Sequence, residues 1–394
     1  MIPRTASDTL LRLAAGFPVV VVTGPRQSGK TTLARSAFPD RHYVSLEDPN
    51  QRAFALDDPI GFLNRFQDGA ILDEVQHCPD LLSYLQTRVD REQSMGRYVL
   101  TGSQNFALMS RIPQSLAGRA GILQLLPFSL AELKRAELLP HDLDHLLYRG
   151  LYPPLYDREL EAAVWYSSYT ATYLERDVRQ IASIQDLGLF QRFVRLCAAR
   201  TGQLLNLSSL ATDCGISQGT ARSWLGVLQA SYIAFLLPPH HRSFGKRLVK
   251  TPKLYFHDTG LAAALLNVQG PDHMAVHPSR PALFETLVVN ELLKQRFHGA
   301  LSSNLFFWRD NTGNEIDVLR EQGSALEGIE IKSGQTVHDE HFAGLRRWTS
   351  LAGSAAGPAS LVYGGSESYV RSGFRVLSWR DIDTIGCQDS TPSP

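Results

Sequence analysis

Over the first 135 residues, short runs rich in valine and isoleucine alternate with amphipathic stretches. Five of these runs predict strands: PVVVVT (18–23), HYVSL (42–46), GAILD (69–73), RYVLTG (97–102) and GILQLL (121–126). β-Branched runs of this length, mostly separated by helical spacing, predict a parallel α/β sheet. YPPLYD (152–157) then punctuates the chain, and from about 158 to 235 apolar residues recur at helical intervals with few strand signals. From about 280 onward the helix-like ALFETLVVNELLKQRF precedes three strand-like runs, and a further helix follows near HFAGLRRWTSL. The pattern divides the chain into residues 1–150, 151–275 and 276–386, with a polar tail at 387–394 that reads as disordered.

Composition narrows this picture only slightly. At 394 residues the chain exceeds one ordinary core, so two or three domains are expected. Apolar residues make up 43% and charged residues 20%, a globular balance. Lys+Arg and Asp+Glu are 39 each, so any surface attractive to nucleic acid must be local. The four cysteines are scattered without a CxxC pair, which suits a reducing compartment better than a zinc site or a disulfide framework. The apolar run FPVVVV (17–22) is too short to span a bilayer, and the N-terminal region has no secretory pattern. A cytoplasmic protein with no membrane partner is expected.

Candidate chemistry begins directly after the first predicted strand. GPRQSGKT (24–31) sits between that strand and a helix opening at Lys30, the context that a phosphate-binding loop requires. Gly24 and Gly29 let the backbone curl so that N–H groups and a helix N-terminus face phosphate oxygens. Lys30 would neutralise charge on the β- and γ-phosphates of ATP, and the Thr31 hydroxyl would ligate Mg2+. Pro25, Arg26, Gln27, Ser28 and Thr32 complete the nucleotide-binding stretch. AILDE (70–74) supplies Asp73 to hold the metal through water and Glu74 to polarise an attacking water. TGSQ (101–104) places Ser103 or Gln104 between these motifs as a γ-phosphate sensor, although ordinary turns favour the same residues.

Taken together, GPRQSGKT, ILDEVQ (71–76), LTGSQ (100–104) and LAGR (116–119) resemble the AAA+-like prokaryotic ATPases that carry a P-loop domain in front and an uncharacterised conserved domain behind. The resemblance continues through YLERDV (173–178), LYFHDTGL (254–261) and EIDVL (315–319), and so covers nearly the whole chain. It implies ATP hydrolysis with Mg2+ and makes Arg119 an arginine finger or sensor, with Arg176 a weaker candidate. A helix cap or a pairing with a carboxylate would explain Arg119 equally well. Because such ATPases often form rings, the resemblance also raises a homo-oligomer.

The middle segment LNLSSLATDCGISQGTARSWLGVLQASYIAFLL (205–237) has the layout of a winged helix-turn-helix. Leu207, Leu210 and Ala211 would pack the first helix, Gly215 would turn the chain, and Ser217 would cap a second helix whose Ala221, Leu225 and Leu228 face the core. Arg222 would point outward. RSFGKRLVKTPK (242–253) follows with Arg242, Lys246, Arg247, Lys250 and Lys253 and contains no acid. A basic hairpin beside a helix-turn-helix suits contact with DNA phosphates. The same layout also serves as a protein–protein module with a solvated charged edge.

In the rear third, GIEIKSG (328–334) puts Glu330 and Lys332 on one face of a predicted strand and Ile329 and Ile331 on the other. By itself this is what a salt-bridged surface strand looks like. FFWRDNTGNEIDVL (306–319) reads as a strand, a turn and a returning strand that carries Asp317, with Glu315 on the same face. Glu285 lies on the preceding apolar helix, where a carboxylate is costly unless paired or metal-bound. This order of a helix Glu, a strand Asp and then Glu-x-Lys resembles the PD-(D/E)XK nuclease superfamily. The resemblance implies Mg2+ on Asp317 and Glu330, Lys332 as the residue that orients the attacking water, and Glu285 completing the shell.

HDLDH (141–145) and HDEH (338–341) pair histidines with acids, but both fall where helices should begin and suit first-turn residues. Trp224, Trp308 and Trp348 read as core. The sequence therefore predicts a P-loop ATPase joined through a helical, winged-helix module to a nuclease-like domain that binds DNA and cleaves it with Mg2+. The rival is a nucleotide-gated DNA-binding or protein-interaction regulator whose rear domain does not cleave.

Overall fold

The computed structural model describes residues 2–103, 116–158, 160–172, 184, 186–240 and 249–386. Its front third is a five-stranded sheet of β1 (Val19–Thr23), β2 (His42–Ser45), β3 (Ala70–Asp73), β4 (Tyr98–Gly102) and β5 (Ala120–Gln124), all paired in parallel in the order β2-β3-β4-β1-β5. The continuous valine run of β1 has a direct cause. Val19 and Val21 enter the core on one face of the sheet, whereas Val20 and Val22 enter the core on the other. A strand covered on both faces needs no polar alternation.

Helices and three short strands build the described part of the middle. The helix Leu187–Ala198 packs against a helical pair, Leu207–Cys214 and Gln218–Ala230. Gly215, at φ +81°, ends the first of the pair, and the Ser217 hydroxyl accepts the Thr220 N–H to cap the second. Leu210, Ala211, Ala221, Leu225 and Leu228 are buried as the spacing predicts, Leu207 is half-buried, and Arg222 is exposed. The strands β6 (Gln203–Leu204), β7 (Ala234–Leu237) and β8 (Lys253–Phe256) pair antiparallel with β8 in the centre. Arg176, Arg242, Lys246, Arg247 and Gln104 lie outside the described residues, as does the tail 387–394.

The rear sheet is larger than the three strand-like runs suggest. Its six strands are β9 (Leu305–Arg309), β10 (Glu315–Gln322), β11 (Ala325–Lys332), β12 (Ala356–Tyr363), β13 (Tyr369–Arg371) and β14 (Phe374–Ser378), in the order β13-β14-β12-β11-β10-β9. β9, β10 and β11 form an antiparallel meander, while β11, β12 and β14 run parallel. The long helix Arg280–His298 covers one face, where Val318, Ile329, Ile331, Val362 and Leu377 are buried. The helix Ala343–Ala352 covers the other, against Ile316, Leu319, Leu361 and Val376. Gly328 has no room for a side chain, because a Cβ there would lie 2.8 Å from the Trp348 ring.

One core joins the middle to the rear. Phe193, Leu228 and Phe256 belong to the same buried cluster as Leu287, Ile329 and Ile385, so the packing runs straight across the boundary expected at residue 275. Phe128 to Leu155 join that cluster too, and the front sheet keeps separate cores on its two faces.

Candidate functional sites

The loop between β1 and the helix Lys30–Ala37 forms the first site. Gly24 has φ +149°, and a Cβ there would sit 2.1 Å from the Leu125 carbonyl oxygen, so only glycine lets the chain pass β5 at this point. Gly29, at φ +90°, starts the helix without a side-chain cap, which leaves its N-terminus facing the loop. Ser28 Oγ is buried and has no hydrogen-bond partner among the described residues. Lys30 is buried as well, and its Nζ donates to the carbonyls of Gly24 at 3.1 Å and Pro25 at 2.7 Å. Burial pushes its pKa down to about 8, opposed by the charges of Glu74 and Asp73.

Asp73, at the end of β3, receives the Thr31 hydroxyl at 2.9 Å. It also accepts from Thr101 on β4 and, at 2.8 Å, from Tyr43 on β2. Burial, followed by the hydrogen bond to Asp73, pushes the Tyr43 phenol up to about 12, so it donates throughout the ordinary range. Glu74 follows at φ +54°, an uncommon conformation for a non-glycine residue, and accepts from Ser103 Oγ at 3.0 Å and from Gln76. The structure thus brings Lys30, Thr31, Asp73, Glu74 and Ser103 into one pocket. A hydroxyl and a carboxylate beside a lysine and an open helix N-terminus form a donor set that fits ATP with magnesium. Pro25 and Ser28 are buried in the loop, Arg26 lies 3.6 Å from Glu47, and Gln27 and Thr32 are exposed at its rim.

Arg119 is not part of this pocket. It precedes β5 and pairs with exposed Asp90 through a bidentate contact, one arm of which is 2.9 Å. Because Ala120 aligns with Val19 and Gln124 with Thr23, Arg119 sits at the end of the sheet away from the loop, a strand length of about 13 Å. Of the two readings the sequence leaves open for Arg119, the carboxylate pairing is the one seen here.

The sequence gives no motif for Arg4, yet this residue ties the loop to the rest of the molecule. It is buried and donates to the carbonyls of Ser28 at 2.6 Å and Leu126 at 2.7 Å, and from Nε to Glu132 at 3.0 Å. The long rear helix docks beside it. Glu291 accepts the Leu130 N–H at 2.8 Å, and Lys294 donates to the Phe128 carbonyl at 2.8 Å. A second tie joins Thr23 Oγ1 to the Tyr232 hydroxyl at 2.9 Å. The HDTGL stretch is structural: Asp258 caps its own helix through Leu261 N–H and accepts from Leu151 N–H and Tyr166.

The second site lies in the rear region and differs from the expectation at one residue above all. Lys253 is not a solvent-facing wing residue. It is buried, and its Nζ lies 2.8 Å from Glu285, 2.6 Å from Glu315 and 3.9 Å from Asp317. The error has a physical cause: β8 is the central strand of its sheet, so alternate side chains point inward whatever their charge. Lys250 is exposed. Tyr255, two residues along on the same face of β8, donates to Glu285. Burial, then the neighbouring Asp317 charge, pushes Glu285 up to about 7, against the pull of Lys253.

Glu330 and Lys332 share a face of β11 as predicted and pair with each other at 2.6 Å. Glu330 is pushed up to about 8 by burial and by Asp317. Its second oxygen has no partner among the described residues, and a Cβ on Gly344 would lie 3.5 Å from it. Gly344 belongs to the helix opposite the one that carries Glu285. Asp317 reaches across and accepts the Ile331 N–H at 2.8 Å. Among the described residues, no three acids or histidines are gathered as a metal would need them. The Mg2+ expected on Asp317 and Glu330 does not fit this arrangement, because Lys332 already occupies Glu330, and the Ile331 N–H and the Lys253 ammonium already occupy Asp317. A cleft of about 700 Å³ opens beside them, lined by Glu285, Asp317, Lys332, His338 and His341 among others.

The histidine–acid pairs are helix starts. Asp142 accepts the His145 N–H, Asp144 pairs with Arg280, and His338 with His341 forms a reciprocal cap. Among the described residues no helix is long and apolar enough to cross a membrane.

Residues 16–134 match the AAA domain family, 140–272 match a domain of unknown function (DUF8612), and 280–382 match a second (DUF4143). The uncharacterized proteins Rv2008c of Mycobacterium tuberculosis and Mb2031c of Mycobacterium bovis are each 31% identical over 337 residues, covering 84% of this chain and 74% of theirs. Among solved structures, the Walker-type ATPase PabY2304 of Pyrococcus abyssi is 15% identical, with a TM-score of 0.44 over 67% of this chain and 96% of that one. The RuvB Holliday junction branch migration motor of Thermotoga maritima is 19% identical, with a TM-score of 0.31 over 60% and 90%. Overlaps this loose carry no argument about the present chain.

Proposed function

We propose, for a chain that belongs to the family of these two mycobacterial proteins and has an AAA-type P-loop ATPase domain at residues 16–134, that ATP binding and hydrolysis in front govern a DNA-binding, nuclease-like rear half. The observation that carries the ATPase reading is the 2.9 Å hydrogen bond between Thr31 Oγ1 and Asp73 Oδ1, with Lys30 adjacent. Magnesium, when bound, supplies positive charge to the phosphate oxygens, and Thr31 and Asp73 would hold it. Lys30 leaves the loop carbonyls for the β- and γ-phosphates, a move favoured because carbonyl oxygens are weaker partners for an ammonium than phosphate. Ser103 and Gln76 fix Glu74 in place, and Glu74 orients water toward the γ-phosphate.

Support for coupling comes from Arg4, which joins the loop carbonyl of Ser28 to Glu132, and from the rear helix docked one turn away. A change in the loop on nucleotide binding acts on a segment that also positions the helix bearing Glu285. Exposed Arg222 and Lys250 support DNA contact through a winged-helix module, and Arg242, Lys246 and Arg247 support it by sequence. The Lys253 ammonium within the rear acids favours binding over cleavage in this conformation. A finger role for Arg119 would need a second copy of the chain.

Glu74→Gln provides the test. The variant should bind ATP normally and lose about 10²–10⁴ in turnover, and ATP should change the salt-sensitive affinity for labelled duplex DNA relative to ADP. Turnover at the wild-type rate would sink the ATPase assignment. A DNA affinity indifferent to nucleotide would remove the coupling.

A further inference from the structure

The paired helices of the middle module end in the same closing turn, built on different residues. After Leu207–Cys214, the Gly215 N–H bonds to the Thr212 carbonyl at 3.1 Å and the Ile216 N–H to the Ala211 carbonyl at 3.0 Å, with Gly215 at φ +81°. After Gln218–Ala230, the Tyr232 N–H bonds to the Gln229 carbonyl at 3.1 Å and the Ile233 N–H to the Leu228 carbonyl at 2.9 Å. Tyr232 here takes φ +55°. The turn needs a left-handed residue, which glycine supplies without the clash that a Cβ brings. A tyrosine in its place is strained, and such strain persists where surrounding contacts hold it.

Those contacts lie at the base of the phosphate loop. The buried Tyr232 hydroxyl is hydrogen-bonded to Thr23 Oγ1 at 2.9 Å and to the Gln124 side chain. Thr23 and Gln124 are aligned partners on β1 and β5, and Thr23 directly precedes Gly24, where the loop begins. Arg4 holds the other end of the loop, at the Ser28 carbonyl. The loop is therefore fixed at one end from within the front region and at the other by the module behind it.

We propose that Tyr232 is a positioning residue of the ATP site supplied by the middle module, so that the helix Gln218–Ala230 and the phosphate loop move as linked parts. This rests on the ATPase reading of the front site and names the contact through which nucleotide reaches the helix-turn-helix. Tyr232 acts through Thr23 on the point where the loop leaves β1, and the chemistry stays with Lys30, Thr31, Asp73 and Glu74. Because linkage is reciprocal, a loop that settles on nucleotide also settles the end of the helix.

Tyr232→Phe keeps the ring and removes only the hydroxyl. In the full chain it should weaken binding of a fluorescent ADP with Mg2+ by about fivefold, the scale of one buried hydrogen bond. KM for ATP should rise with it while kcat stays within about twofold. Thr23→Val should do the same, and it replaces Tyr232→Phe if that variant does not fold. The two changes together should do no more than either alone, since they remove one contact. Hydrogen exchange gives a second readout: ADP should slow exchange over residues 218–233 in the wild type and much less in Tyr232→Phe. A variant that loses thermal stability but keeps wild-type ADP affinity and exchange response makes Tyr232 a structural cap and overturns the proposal. Additive effects of the two substitutions overturn it too. A wild-type chain that binds no ADP ends the ATPase reading and this proposal together, so the wild-type titration tells the two failures apart.

Discussion

The two candidate sites each hold a buried lysine. Lys30 rests on two loop carbonyls, near an orphaned Ser28 hydroxyl and an uncapped helix start. Lys253 rests on three carboxylates and shares one of them with a tyrosine. The first is an incompletely satisfied site, since a buried charge on neutral oxygens gains when an anion arrives. The second is satisfied from within the chain, so an incoming cation must displace something. Burial moves groups at both sites the same way. Lys30 is pushed toward its neutral form, and so are Glu285 beside Lys253 and Glu330 beside Lys332.

Exchanging the lysines should therefore give opposite phenotypes. Lys30→Ala should cost about 10²–10³ in ATP turnover, the scale for removing a preorganised donor at developing charge, with the fold kept as judged by urea denaturation. Lys253→Met should instead cost about 3–5 kcal/mol in the same denaturation, because three acids lose their buried partner. Its ATP turnover, measured where the variant is folded, should stay near the wild-type value. Equal effects of both changes on both readouts would erase the distinction.

Stability against pH sharpens the contrast, with opposite slopes. The Lys30 pKa is lowered from 10.5 to about 8 on folding, so between those values the unfolded chain binds more protons and nucleotide-free stability rises with pH. Lys30→Met should flatten that rise. Glu330 is raised from 4.5 to about 8, so over that window the folded chain holds the extra proton and stability falls as pH rises. Glu330→Gln should flatten the fall. Thermal melts across both windows check the signs. The smallest effect belongs to Arg119→Ala, which should leave turnover of dilute protein unchanged. A large loss there would show that Arg119 acts across a copy boundary.

The front site was largely legible because its chemistry is local. A strand, a loop of eight residues and a helix start are adjacent in sequence, so GPRQSGKT specifies its own geometry, and AILDE announces Asp73 and Glu74 at a strand end. The helix-turn-helix pair was legible for the same reason, through apolar spacing and the Ser217 cap. Arg4, Tyr43 and Tyr232 were not, since each acts on a partner at least 24 residues away.

The rear acids mark the limit. Sequence determined which residues carry carboxylates, and strand alternation put Glu330 with Lys332 and apart from Ile329 and Ile331. Only the tertiary structure decided that Glu285 and Glu330 approach the sheet from opposite faces, and that Lys253, placed by its basic neighbours on a solvated wing, points into the acids. A lysine's charge is written in the chain. Its partner depends on which strand is central and which helix packs above it, and those are settled by burial summed over the whole core.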